Sequence, residues 1–177
     1  MNLLDIIILV TIALFALGGF WFGLFHTIGS LVGTVVGAFV ASRYYEGAAQ
    51  WLIATTGWGA NVSRVVMFIA LFVIITRGIG AAFWLVGKVG SVVVPVPFKS
   101  ALNRLLGMIA GGAEGLVSVG LVLYFIDRFP VGEGVMRAIE VSVFAPTAIA
   151  TASILVPLFP QALKALESTL DTIEQSL

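Results

Sequence analysis

Between Asp5 and Arg43 the chain has 37 consecutive residues that carry no charge. A helix needs roughly 20 apolar residues to cross a hydrocarbon core about 30 Å thick, so this run is long enough for two membrane helices. Apolar residues make up 60% of the sequence and charged residues 10%, with a mean hydropathy of +1.13. The bilayer is therefore the expected solvent of this protein.

Long apolar runs predict an all-α integral membrane protein with four transmembrane helices, at residues 6–25, 27–42, 65–86 and 105–126. His26 is the polar residue between the first two helices, which predicts a tight first hairpin. A cleavable signal peptide is the competing interpretation of the first run. Such peptides begin with basic residues, but this chain has no Lys or Arg before Arg43, which favours a membrane helix.

Two connections between the predicted helices are more than turns. Residues 46–61 carry Trp51 and Trp58 among glycines and alanines, which predicts a segment that lies at the lipid headgroups. Residues 89–102 are rich in β-branched residues and contain two prolines, which oppose a helix. We expect an extended or re-entrant piece there.

The sequence changes in character after residue 127, and we divide it there into a four-helix transmembrane domain, residues 1–127, and a second segment, residues 128–177. Prolines interrupt the second segment, and its apolar stretch at 147–156 is too short to span a bilayer. We expect an interfacial segment there. Apolar residues three and four apart then predict an amphipathic helix at 161–177, which either folds back on the protein or membrane, or pairs with a partner helix.

Two sets of glycines are spaced four residues apart. They are Gly29, Gly33 and Gly37 in the second predicted helix, and Gly107, Gly111 and Gly115 in the fourth. Spacing of four places each set on one helix face, where the missing side chains let a neighbouring backbone approach closely in lipid. We predict both sets as helix-packing faces, the first purely apolar and the second directed towards the third helix.

Charged groups inside a span are costly, so those that occur usually face the bundle and pair. Arg77 and Glu114 fall near the middle of the third and fourth predicted helices, which predicts an ion pair between them. Asn103 shares the face of Glu114, and Arg104 begins the fourth helix. The pair has two interpretations: a structural contact that fixes helix register, which we favour, or a proton or ion relay.

Several functional classes find no support in the sequence. Nine basic and nine acidic residues balance, so there is no basic surface for nucleic acid. The chain has no cysteine and one histidine, and it carries no nucleophile, metal-ligand or phosphate-loop motif. We expect no enzyme activity, no catalytic residue, no cofactor, no metal and no identifiable small-molecule substrate. Asp5 is interpreted as an acid at a helix start, stabilised by the helix N-terminus.

One stretch resembles a known family. It runs Asn103-Arg104-Leu105-Leu106-Gly107-Met108-Ile109-Ala110-Gly111-Gly112-Ala113-Glu114-Gly115. Together with Asp5 at the first span, Gly23 at the hairpin turn, and Gly29-Ser30-Leu31-Val32, it is similar to the CvpA family of bacterial inner-membrane proteins, named for colicin V production. The resemblance covers about residues 3–127. This chain departs from it at the first turn, which lacks the family's usual charges, and at Glu114, where the family often has arginine.

The resemblance implies a non-enzymatic accessory protein of the bacterial inner membrane, linked to colicin V production or export and to envelope homeostasis. The expected partners are the lipid bilayer and either a second copy of the chain or another membrane protein. The alternative is a small transporter or channel subunit that uses Arg77 and Glu114. Basic residues are distributed too evenly between the two sides to set the orientation in the membrane.

Overall fold

The computed structural model describes residues 2–93, 101–155 and 157. The described residues form helices and no strands, which confirms the predicted all-α fold. The helices are α1 (Leu3–Phe22), α2 (Leu24–Thr56), α3 (Ala60–Val93), α4 (Ala101–Arg128), α5 (Glu133–Glu140) and α6 (Ala145–Ser153). Of these, α1 to α4 are long and apolar enough to cross a membrane, as predicted.

A single residue, Gly23, connects α1 to α2. Its φ of 81° lies in a region that glycine adopts without strain, and its N–H donates to the carbonyl of Gly19 at 2.8 Å. The connection is as tight as predicted, but the turn is not at His26, which lies in the first turn of α2. The placement at His26 followed polarity, whereas backbone freedom at a glycine decides where the chain reverses, and the family resemblance correctly places Gly23 at the turn.

The second and third spans extend well beyond their predicted ends. Residues 46–56 were expected to form a connection, but they continue α2 until Gly57, whose φ of 72° ends the helix. Glu46 on α2 forms a salt bridge of 3.0 Å with Arg64 on α3. Glu46 and Arg64 therefore lie within α2 and α3 and pair with each other, and they do not mark the ends of these helices.

Residues 89–93, which were also expected to be non-helical, belong to α3. The two prolines of that predicted segment lie at 95 and 97, outside the described residues. Val92 and Val93 lie before these prolines and still belong to α3, so β-branching alone does not end the helix.

The spans pack as two close pairs, α1 with α4 and α2 with α3, and α4 also contacts α2. The first glycine set joins α2 to α3, since a Cβ added at Gly33 or Gly37 would meet the α3 backbone. The second set faces α1. A Cβ at Gly107 would overlap the carbonyl of Gly19, so the expectation that this set faces the third helix was wrong.

The chain after α4 folds back on the bundle. Helix α6 crosses α4 at Gly120, where an added Cβ would overlap the carbonyl of Ala148. The buried residues of α6 are Ala145, Ala148 and Ala152. Together α5 and α6 form a pair bent by 90°, and α6 packs as part of the helical core. The predicted terminal helix at 161–177 lies outside the described residues.

Hydrogen bonds place the chain start, the α2–α3 turn and the α4–α5 connection at one end of the bundle. The side-chain amide of Asn2 donates to the carbonyl of Ala138 on α5 at 2.6 Å. The side-chain amide of Asn61 donates to the carbonyl of Pro130 at 3.0 Å. Four spans return the chain to the side of the membrane on which it began, so these parts are expected on the same side.

Gly19 and Gly18 test the close approach of α1 and α4, since they are neighbours in sequence with opposite surroundings. Alanine at Gly19 would overlap the backbone of Gly107, whereas alanine at Gly18 would meet nothing within 4 Å. We expect Gly19→Ala to lower the free energy of unfolding by about 1–3 kcal/mol, and Gly18→Ala to leave it nearly unchanged. Denaturant unfolding in detergent measures both, and equal effects would contradict the packing described here.

Polar clusters and a candidate site inside the bundle

Glu114 is the buried acid at the centre of the bundle, with 3% of its surface exposed. Its carboxylate accepts hydrogen bonds from the hydroxyls of Ser30 at 2.5 Å and Thr34 at 3.2 Å, both on α2. Ser30 and Thr34 lie one residue after Gly29 and Gly33. On the glycine face itself, the Thr76 hydroxyl of α3 donates to the carbonyl of Gly33 at 3.3 Å, so the prediction that this face is purely apolar was wrong.

Arg77 lies on α3 and remains exposed. Among the described residues it forms no salt bridge of 4.0 Å or shorter, so the predicted direct ion pair with Glu114 is not present. Its guanidinium carbon lies 6.0 Å from the centre of the Phe15 ring on α1, within the range of a cation–π contact. The reason is the packing: α4 directs Glu114 at α2, where two hydroxyls donate to one oxygen of its carboxylate.

Arg77 and Glu114 nevertheless line one open pocket of about 210 Å³, together with His26 and Thr27 from α2. α1 contributes apolar residues to the same pocket. The structure thus brings the two predicted charges to one space without joining them.

Asn103 links the start of α4 to the start of α2. Its side-chain oxygen accepts a hydrogen bond of 3.2 Å from the N–H of Leu24, one of the amides that a helix start leaves unpaired. A Cβ added at Gly23 would overlap the Asn103 amide, so this cap requires glycine at the turn. The neighbouring Arg104 is exposed, with its guanidinium carbon 5.9 Å from the ring of Phe20.

Asp5 is fully buried and joins two helix starts. One carboxylate oxygen accepts from the N–H of Asn2 at 2.8 Å, in a capping box at the start of α1. The other accepts from the Ser142 hydroxyl at 2.5 Å and from the N–H groups of Val143 at 3.0 Å and Phe144 at 3.3 Å. The helix-start interpretation of Asp5 describes only the first of these contacts.

Sequence reasoning did not predict two contacts that its own rules could have found: Gly19 against Gly107, and Ser142 against Asp5. Gly19 and Gly23 are four residues apart, the same spacing that identified the other two sets. Ser142 accepts from the N–H of Ala145 at 3.0 Å, and Pro146 follows in the first turn of α6. A serine shortly before a proline is a common sign of a helix start. No group of three or more potential metal ligands occurs in the ranges described.

Comparison with known proteins gives one consistent result. The family model described as "Colicin V production protein" matches residues 4–153. The "Colicin V production protein" of Escherichia coli (strain K12) is 31% identical over 126 residues, which are 71% of this chain and 74% of that protein. No solved structure matches. The family match extends beyond residue 127 to the end of α6, the helix that Asp5 holds.

The Asp5 contact predicts how α6 is held. Asparagine in place of Asp5 carries no charge and has one acceptor oxygen for donors on two sides, so the α6 start loses its charged acceptor. We expect Asp5→Asn to accelerate hydrogen exchange at these two amides about tenfold or more, as measured by mass spectrometry in detergent. Glu140→Gln removes an exposed acid from the same region and is the control. Unchanged exchange in Asp5→Asn would show that the carboxylate does not hold α6.

The partners of Glu114 can be separated by two double-mutant cycles. We expect a coupling of about 1 kcal/mol between Glu114→Ala and Ser30→Ala, the size found for hydrogen bonds between membrane helices. Between Glu114→Gln and Arg77→Ala we expect less than about 0.5 kcal/mol, since no direct bond joins them. Denaturant unfolding gives both values, and the reverse order would restore the ion pair as the main contact.

Proposed function

The chain belongs to the colicin V production protein family, and from this premise we propose that it is a non-enzymatic accessory protein of the bacterial inner membrane. In this role it supports the production or export of a colicin V-type toxin and the homeostasis of the envelope. It acts through helix contacts, with a second copy of the chain or with another membrane protein.

One observation carries this proposal: the buried carboxylates of the described residues, Asp5 and Glu114, are held by neutral donors from neighbouring parts of the chain. Carboxylates used in this way fix the positions of helices. Proton relays ordinarily show further ionisable groups at other depths of the membrane. The polar interior is thus better explained as a means of holding the bundle together.

The outer surface offers the contacts that such a role requires. α1 is the least buried of the four candidate spans, and large apolar side chains cover its outer face. Among them are Leu14, Leu17 and Trp21. This face meets lipid or the helix of a partner.

A second candidate, a small transporter or channel subunit, is favoured by one specific feature. Arg77, Glu114 and His26 line a common pocket that is open to the outside. An intramembrane cation and acid at one pocket are compatible with ion or substrate passage.

A complementation experiment tests the accessory role. The strain is Escherichia coli K12 without its own colicin V production protein, carrying the genes for colicin V, and secreted toxin is measured on a sensitive lawn. We expect this chain to restore secretion, and Glu114→Gln to restore it equally, because glutamine still accepts from Ser30 and Thr34.

Two outcomes would count against the proposal. Failure of the correctly inserted wild-type protein to restore secretion would contradict the accessory role. Loss of secretion in a stably folded Glu114→Gln protein, together with loss of proton flux in liposomes, would favour the transporter.

A further inference from the structure

The pocket that contains Glu114 and Arg77 extends from the middle of the membrane to one end of the bundle, and its volume is about 210 Å³. Along α1 its lining runs from Thr11, near the centre of the span, to Phe22, the last residue of the helix. This distance is about eleven residues or 16 Å, close to half of a hydrocarbon core about 30 Å thick. The pocket therefore reaches the membrane boundary at the α1–α2 turn.

Polar groups line this pocket along its length. His26 lies in the first turn of α2, and Thr27 and Ser30 follow it towards Glu114. Nδ1 of His26 is buried and has no hydrogen-bond partner among the described residues. Both hydrogen bonds to Glu114 end on one carboxylate oxygen, which leaves the second oxygen without a donor from the same residues. Water can satisfy such groups, whereas acyl chains form no hydrogen bonds, so the lining favours water.

Arg77 requires compensation at the deep end of the pocket. It lies near the middle of α3 and forms no salt bridge in the ranges that the structure describes. Ionisable residues at such depth are costly, and they pair or face a water-filled cavity. The carboxylate of Glu114 lines the same pocket, so water between the two charges would join them without direct contact.

Beyond Arg77 the lining changes from polar to apolar. A second space of about 420 Å³ continues between α1 and α3 towards the opposite end of the bundle, and Thr11, Phe15 and Arg77 line both spaces. The other lining residues of the second space are apolar except for Thr76 and Ser118. Apolar spaces of this kind stay dry or take up apolar groups. Water that comes from the α1–α2 turn would therefore stop at Arg77.

We propose that the pocket of about 210 Å³ is an aqueous inlet that is open at one end only. Water enters at the α1–α2 turn, hydrates Arg77 and Glu114 in the middle of the membrane, and goes no further. The inlet gives Arg77 the compensation that the described side chains do not provide. This inference does not depend on the accessory role proposed above. It places the two charges of the transporter alternative in contact with one side of the membrane.

The chain has no cysteine, so single cysteines can report contact with water along α1. The probe is 2-(trimethylammonium)ethyl methanethiosulfonate, a charged reagent that does not cross membranes. It reacts with the thiolate, and a thiol in hydrocarbon does not ionise. We expect Gly18→Cys, inside the inlet, to react about tenfold or more faster than Leu17→Cys, its exposed neighbour outside the inlet. A Cβ at Gly18 meets nothing within 4 Å, so this variant is expected to fold.

The same comparison at the deep end uses Thr11→Cys and its exposed neighbour outside the inlet, Val10→Cys. The Thr11 hydroxyl donates only to the carbonyl of Ile7 in its own helix, so its loss leaves the bundle contacts intact. We expect Thr11→Cys to react about tenfold or more faster than Val10→Cys.

The open end is identified by adding the probe to one face of the membrane, in spheroplasts or in inverted vesicles. Gly59→Cys in the exposed α2–α3 turn marks the opposite end of the bundle. Thr11→Cys should react in the preparation in which Gly59→Cys is protected. Gly18→Trp would fill the inlet and should slow the reaction of Thr11→Cys about tenfold or more, whereas Leu17→Trp should leave it unchanged.

Three results would overturn the proposal. They are equal reaction rates within the two pairs of neighbours, reaction of Thr11→Cys from the side of Gly59→Cys, and an unaltered rate in the Gly18→Trp background. Thermal unfolding establishes that each variant is folded. If Gly18→Trp is not, the two pairs of neighbours and the sidedness of Thr11→Cys decide.

Discussion

The backbone contact between α1 and α4 is the constraint on which the other features of the bundle depend. Gly19 and Gly107 let the two helices approach until carbonyl groups and α-carbons touch, a distance at which any side chain would overlap. Apolar side chains gain little by leaving lipid for one another, so close packing of this kind supplies much of the association energy. The contact fixes the depth of α4 along α1. That depth brings Asn103 to the first amide of α2 and Glu114 to the hydroxyls of Ser30 and Thr34.

Asp5 extends this arrangement to the segment after α4. A carboxylate in a membrane protein is costly to bury, but here its oxygens meet N–H groups at the starts of α1 and α6. Helix starts carry partial positive charge, so two of them can stabilise one anion without a basic side chain. The family match covers the same span, from residue 4 to residue 153. The contacts join α5 and α6 to the four spans, and the family match includes all six helices.

The sequence predicted the features that follow from hydropathy and spacing alone. The number of spans, the tight first connection and the close approach at both glycine sets all rest on such local patterns. The choice of partner did not follow from them. Spacing shows that Gly107, Gly111 and Gly115 form a face, but several helices could have met that face, and only the packing shows that it is α1. Similarly, charge suggested that Arg77 pairs with Glu114, whereas two hydroxyls on α2 lie closer.

The polar groups on one side of α4 have partners within the bundle and those on the other side do not, and this difference bears on function. On the side that packs against α1, α2 and α6, its polar and small residues form contacts that hold the bundle together. On its remaining side, the Ser118 hydroxyl forms no hydrogen bond and the neighbouring Arg77 forms no salt bridge among the described residues. A charge inside a membrane is costly unless something compensates it, and Arg77 shares its pocket with the carboxylate of Glu114. The pocket lined by Arg77 and Glu114, and not the glycine faces that dominate the sequence, is therefore the place where a functional contact should be sought.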